Sequence, residues 1–302
     1  MIKHTLEISQ RPARLSLRQN QLIIQFGEGD GETRQFACED VGVLVLQHPA
    51  ISLSAAILNA LLDAGAAVVI CNEKHLPSGM LLPTTTHTEL VPRMMAQLEA
   101  GLPARKSAWK AIVQAKITAQ GRELSAPQRN KLLAIAQGVK SGDPDNAEAR
   151  AAKIYWAARF PHIYQNGDQR DFDSASLFNL LLNYGYAIVR AAVARALVSA
   201  GLQPALGVFH HRRNNPYCLA DDLMEPLRPL VDRTVHQILE NATNSSPATL
   251  LPEYRRALLA LLSTSVDFQE SSGPLMAVLP RYIASFYRLL TRENDHLDSP
   301  TY

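Results

Sequence analysis

The sequence predicts an α+β protein, with a small N-terminal β-sandwich-like domain over residues 1–85 and a larger all-helical domain over 86–302. Three observations carry this. Short runs of strict apolar–polar alternation crowd the first third. Helical periodicity with caps dominates thereafter. Between the two lies Pro83-Thr84-Thr85-Thr86, a plausible linker.

The N-terminal elements follow in order. Leu6-Glu7-Ile8 and the run ARLSLRQNQLIIQ, Ala13 to Gln25, alternate, with Gln19-Asn20 as the turn between two strands. Thr33 to Ala37 is a third short piece, and VGVLVL, Val41 to Leu46, reads as a buried strand. Ser52 to Ala64 has apolar residues at helical spacing, an initial serine and Gly65 beyond its end. Ala66 to Cys71 returns to strand, and Gly79 to Leu82 adds one more. Helices are expected over 88–100, 104–119 and 127–139. Asp143 as cap and Pro144 at the first helical position should open another, ending near Arg159 before Pro161. A long helix runs from Ser174 to Ala200, capped by Asp173 and closed by Gly201. Loop covers 202–218, a helix 219–241, and at least two helices fall between 252 and 293. Residues Asp295 to Tyr302 read as a frayed end.

The chain of 302 residues is 47% hydrophobic and 19% charged, which suits a folded core and excludes a disordered chain. It has no run of eighteen apolar residues and no apolar signal sequence, so the expected location is the cytoplasm, without membrane. Three separated cysteines, Cys38, Cys71 and Cys218, form no CxxC pair, which argues against a disulfide framework or a zinc site. The net charge of +2 hides an uneven distribution. From Arg93 to Arg213 there are 17 Lys and Arg against 8 Asp and Glu, and elsewhere 13 against 20. A basic middle is the footprint of a nucleic-acid partner, or a set of solvated helix faces.

The densest chemistry lies in LGVFHHRRNNPYCLADDLMEPLRPLVD, Leu206 to Asp232. His210, His211, Arg212, Arg213, Asp221, Asp222 and Glu225 fall within sixteen residues. Clustered carboxylates repel unless a cation or basic partner lies between them. On a helix Asp221, Asp222 and Glu225 share a face, and Pro226 and Pro229 should distort its start. Attraction of acids to a helix N-terminus accounts for Asp221 but less well for Glu225, a turn further in.

These residues resemble the CRISPR-associated adaptation integrases, the Cas one family, and most closely its type II members. In that family a histidine in an LGxxH setting lies twelve residues before the aspartate of a DLMEP or DLMEE motif and fifteen before its glutamate. Leu206, Gly207, His210, Asp222, Leu223, Met224, Glu225 and Pro226 match. The family's third ligand sits in a context like NxEAxAAxxYW, matched by Asn146, Glu148, Ala149, Ala151, Ala152, Tyr155 and Trp156. CNEKHLPSGMLLP at 71–83 and LFNLLLNYGYAIVRAAVARALVSAGLQPALG at 177–207 are also similar to the family, so the resemblance spans nearly the whole chain.

The resemblance implies Glu148, His210 and Glu225 as catalytic ligands of Mg²⁺ or Mn²⁺, with Asp222 orienting a ligand, binding through water or capping the helix. His210 is open to a second role as proton shuttle. It implies an enzyme of antiviral defence that joins 3′-hydroxyl ends of short DNA fragments into the CRISPR array by transesterification. Two other readings stay open, a structure-specific metal-dependent DNA nuclease and a non-catalytic DNA-binding scaffold. Implied partners are DNA, a second copy of the chain, a dimer of the small Cas two protein and the type II effector nuclease, with the β-rich domain supplying dimer and partner contacts. Arg212 and Arg213 are candidates to clamp phosphates or are solvated loop charges. Arg150 and Lys153, with Lys106, Lys110, Lys116, Arg129, Lys131 and Lys140, are weaker candidates for tracking a DNA backbone. Tyr155 and Trp156 cannot share a helix face, so one is expected in the core and the other to stack on a base or border the site; Tyr184 and Tyr186 read as packing residues.

Overall fold

The alternating N-terminal runs form strands in a computed structural model that describes residues 3–27, 31–73, 75–84, 87–165, 176–241 and 249–302. They are β1 (His4–Ile8), β2 (Ala13–Arg18), β3 (Gln21–Phe26), β4 (Thr33–Ala37) and β5 (Val41–Leu46). Gln19 and Asn20 take positive φ, 49° and 58°, the two-residue turn whose twist suits the β2–β3 hairpin. The helix expected from Ser52 starts later. Ile51–Leu53 is instead β6, parallel to β2 and covering its edge, and only after Ser54 does α1 (Ala55–Asp63) begin. β7 (Ala67–Cys71) and β8 (Pro77–Leu81) follow.

Two four-stranded sheets result, ordered β1-β5-β7-β8 and β4-β3-β2-β6. Leu15, Leu22 and Ile24 of one share an apolar cluster with Val41, Leu44 and Val68 of the other and with Ile57 and Leu61 of α1. Val43, Val45 and Val69, on the opposite face of their strands, belong to the core of the helical part. This double burial is why VGVLVL is continuously apolar. It also ties the two parts together through the sheet; of the linker, residues 85 and 86 lie outside the described residues.

The helical part comprises α2 (Leu90–Glu99), α3 (Leu102–Arg122), α4 (Ala126–Gln137), α5 (Ala147–Arg159), α6 (Pro161–Gln165) and α7 (Leu177–Ser199). After a loop come α8 (Cys218–Met224), a 3-10 turn (Glu225–Leu227), α9 (Arg228–Asn241), α10 (Pro252–Ala260) and α11 (Leu275–Leu290). α7 is the axis of this part, buried on nearly every side and packed by α8, α9, α10 and α11. Among the described residues it alone has the length and apolarity to cross a membrane, yet 78% of that window is buried inside the protein. The expected cap Asp173 and start Ser174 lie outside the described residues; Ser176 Oγ accepts from the Asn179 amide and caps the helix.

Three expectations need correction. The C-terminal part is not all-helical: β9 (Ser265–Phe268) and β10 (Ser271–Pro274) pair as a hairpin turned at Gln269, whose φ is 53°. SVDF alternates, with Val266 and Phe268 buried and Ser265 and Asp267 exposed, so it satisfies a strand's period rather than a helix's. The tail is not frayed either. Thr301 bridges Asp267, and the Tyr302 hydroxyl donates to the Pro226 carbonyl at 2.8 Å. Finally, the helix expected over 219–241 is interrupted at Pro226, which has no amide to continue the ladder.

Candidate active site

The site lies where α3, the start of α5, the α8–α9 junction and the loop after α7 meet. Glu148 stands in the first turn of α5. Its helix opens differently from expectation: Asp143 and Asn146 both take positive φ, and Pro144 lies in the turn between them. Asp143 still caps the helix, because its carboxylate accepts the Ala147 and Glu148 amides at 2.7 and 3.0 Å. A second short turn fixes Glu225. The break at Pro226 ends α8 and starts α9, placing Glu225 and Arg228 side by side, with Arg228 Nε 2.8 Å from Glu225 Oε1.

His210 is held by Asp222, which is fully buried. The Asp222 carboxylate accepts the amides of Val208, Phe209 and His210 at 2.7, 3.1 and 3.2 Å, and lies 2.5 Å from His210 Nδ1. Gly207 makes this fold of the loop possible. A Cβ there would sit 2.4 Å from the His210 carbonyl oxygen and 3.0 Å from Asp222 Oδ2. Asp222 therefore orients the imidazole and binds the loop, as proposed for a group behind a ligand. Its hydrogen bond raises the His210 pKa, with burial opposing. The ring borders Trp109, on which Phe209 stacks with centroids 4.0 Å apart.

The two glutamates meet through a residue from α3. Lys116 Nζ is 2.5 Å from Glu148 Oε1 and 2.5 Å from Glu225 Oε2. The second contact satisfies the buried Oε2, which the ammonium reaches as an ion pair. Burial pushes the Glu225 carboxyl up, but Arg228 and Lys116 outweigh it and hold it at about 2. Burial likewise works against the Lys116 ammonium, and Glu225 and Glu148 reverse the effect. The site is a compact network of two acids and two bases.

Lys116 is thus not on a DNA-tracking surface; only 7% of it is exposed. The signal was its position: Trp109, Ile112, Val113, Lys116 and Gln120 fall on one buried face of α3, where a lysine needs an acidic partner. Arg228 was missed as well, although its i,i+3 spacing from Glu225 was visible. Arg190, on α7, carried no such signal. It lies 3.8 Å from Asp221 with its guanidinium over Tyr217.

The remaining candidates divide by exposure. Arg150, Lys153, Arg212 and Arg213 are all exposed. Arg212 lines a cleft of about 740 Å³ together with Arg190, His210, Asn215, Asp221 and Arg228. Arg213 borders a smaller one with Arg105 and His211. Tyr155 is the core residue of its pair, and Trp156 packs on Phe160 and Phe178. Tyr184 packs as expected, bonded to Gln47. Tyr186 does more: it lines the cleft, lies under the Arg228 guanidinium at 4.6 Å and donates to Asp232. Tyr155 donates to the same carboxylate.

Among the described residues no three His, Cys, Asp or Glu are gathered tightly enough to hold a metal ion directly. The chemistry of the donors nevertheless fits one. Two carboxylates already converge on a single cation, and the imidazole has its orienting carboxylate.

Known proteins resemble this chain in sequence and in fold. The family model described as CRISPR associated protein Cas1 matches residues 6–249. A CRISPR-associated endonuclease Cas1 of Neisseria meningitidis serogroup C (strain 8013) is 34% identical over 292 residues, covering 94% of this chain and 91% of that protein. In fold, a casposase bound to integration product aligns over 98% of this chain and 93% of its own, with TM-score 0.80 and 21% identity. A chain of a Cas6-RT-Cas1–Cas2 complex aligns over 97% of this chain and 35% of its own, with TM-score 0.74 and 17% identity.

Proposed function

This chain belongs to the CRISPR-associated Cas1 family, and on that premise we propose that it is a metal-dependent DNA integrase and endonuclease of CRISPR adaptation. It joins the 3′-hydroxyl ends of short DNA fragments to the CRISPR array. The observation that carries this reading is the meeting of Glu148 and Glu225, from separate segments, around one buried cation, while Asp222, three residues before Glu225, fixes the His210 imidazole.

In the joining step the incoming 3′-oxygen loses its proton and forms a bond to the target phosphorus. The target's own 3′-oxygen leaves and takes up a proton. One phosphodiester replaces another, so no nucleotide is hydrolysed. Glu148, His210 and Glu225 would hold Mg²⁺ or Mn²⁺, which when bound supplies neutralisation of the phosphate and polarisation of its oxygens. Asp222 keeps His210 Nδ1 engaged and leaves Nε2 as the ring nitrogen for ligation or proton transfer. Arg228 stays on Glu225 and keeps it ionised. Arg190 and Arg212, which line the adjoining cleft, would bind strand phosphates. Replacing the 3′-hydroxyl with water turns the same site into a nuclease.

The proposed partners are DNA, a second copy of the chain, a dimer of the small Cas two protein and the type II effector nuclease. The test is an integration assay with wild type and Glu225→Ala in Mg²⁺, in Mn²⁺ and in EDTA. It uses a short duplex with free 3′-hydroxyls, a plasmid bearing leader and repeat, and the small partner. Joined product that needs metal and is lost in the variant is the expected result. Nicking without joining would reassign the protein as a nuclease, and joining by the variant would remove Glu225 from the chemistry.

A further inference from the structure

We propose that Lys116 is a resident counter-cation that competes with the divalent ion for Glu148 and Glu225, so that loading the site requires its ammonium to leave both carboxylates. The inference rests on the metal-site reading above and goes beyond it, since that reading assigns Lys116 no role.

The geometry points to competition. Lys116 Nζ touches one oxygen of each glutamate at 2.5 Å. A divalent ion bound to the same oxygens at about 2.0–2.2 Å would come into contact with the ammonium, and two cations cannot share that space in a buried site. The Lys116 side chain is 9% exposed and that of Glu225 6%, so water does little to screen them. Arg228 poses no such conflict, because it binds the other oxygen of Glu225.

The arrangement also explains how the site tolerates two converging acids without metal. Bringing the half-buried Glu148 against the buried Glu225 costs repulsion, and for Glu225 desolvation, unless a cation neutralises them. Lys116 supplies that cation from within the chain, on the apolar face of a long helix that holds it there. The stability gained without metal is stability that the metal must displace. Metal affinity is therefore lower than the donor set alone would give.

The test is Mn²⁺ binding to the DNA-free protein, followed by titration calorimetry and by loss of the free-ion paramagnetic resonance signal. Wild type, Lys116→Met and Glu225→Gln are compared, each checked for folding by circular dichroism. Lys116→Met is expected to bind Mn²⁺ about tenfold to a hundredfold more tightly than wild type, the worth of a buried charge-assisted contact. Equal or weaker binding by Lys116→Met, with binding abolished in Glu225→Gln, would overturn the competition and leave the metal site standing. No Mn²⁺ bound by wild type or Lys116→Met would overturn both readings. Should Lys116→Met fail to fold, a crystal structure of wild type with Mn²⁺ decides: the proposal requires Lys116 Nζ to lie beyond hydrogen-bond distance of both glutamates. Mn²⁺ in the site with Lys116 still bridging them would refute it.

Discussion

Asp222 and Glu225 stand three residues apart at the end of α8, both buried, yet their surroundings are opposite in kind. Asp222 is met by three amides of one loop and by His210 Nδ1. Glu225 is met by two full cations, from α3 and α9. Asp222 thus spends its charge on backbone, binding a loop that has no regular structure of its own. Glu225 instead pairs with side-chain charges brought from two other helices. Two carboxylates of one helical turn thus sit in opposite surroundings, dipoles for Asp222 and side-chain charges for Glu225, which suits a structural role for the first and the proposed chemical role for the second.

The contrast breaks most visibly at Asp222. Asp222→Ala leaves three inward amides and one imidazole without their acceptor, and should cost about 3–5 kcal/mol of stability, together with all activity. Urea unfolding measures the first, the integration assay the second. A loss below 1 kcal/mol would mean that the loop does not depend on this carboxylate. Glu225→Gln should destabilise less, about 2 kcal/mol, because an acceptor remains and the Arg228 side chain is 26% exposed. It should abolish activity as completely. If the two variants have equal stability, the division of roles is wrong.

A third acid sharpens the comparison. Asp232 has neither arrangement: its carboxylate accepts the hydroxyls of Tyr155 and Tyr186, and burial raises its pKa from 3.8 to about 6. The folded protein therefore binds this proton more tightly than the unfolded chain. The resulting stabilisation is full below pH 3.8 and is lost as pH rises through about 6. Asp232→Asn cannot titrate, so wild type should lose about 2 kcal/mol relative to it between pH 4 and 7. Parallel stability–pH curves for the two proteins would show that Asp232 is ionised normally despite its burial.

Much of the fold was readable because one local rule governed each piece. Gln19-Asn20 fits a turn between two alternating runs, and VGVLVL fits a buried strand, as both prove to be. The failures came where tertiary pairing decided. Ile51–Leu53 is strand because β2 offers an edge, and Tyr302 is ordered because Pro226 offers a carbonyl from a distant segment. The site divided in the same way. Glu148, His210 and Glu225 were found through motif resemblance, since spacing alone does not distinguish a ligand histidine from a surface one. Lys116 was placed on a surface because charge counts do not reveal which helical face a lysine occupies.

The smallest effect concerns the exposed bases, which test whether burial is what separates chemistry from attraction. Arg150, Lys153, Arg212 and Arg213 are exposed, whereas Lys116 is enclosed. Alanine at each exposed position should change stability by less than about 0.5 kcal/mol. Where the side chain contacts a phosphate, the slope of log affinity against log salt for DNA should fall by about 1. Arg212, at the cleft beside His210, is expected to show this change, measured by fluorescence anisotropy across a salt series. An unchanged slope for Arg212→Ala would make it a solvated loop charge and leave strand binding in that cleft to Arg190.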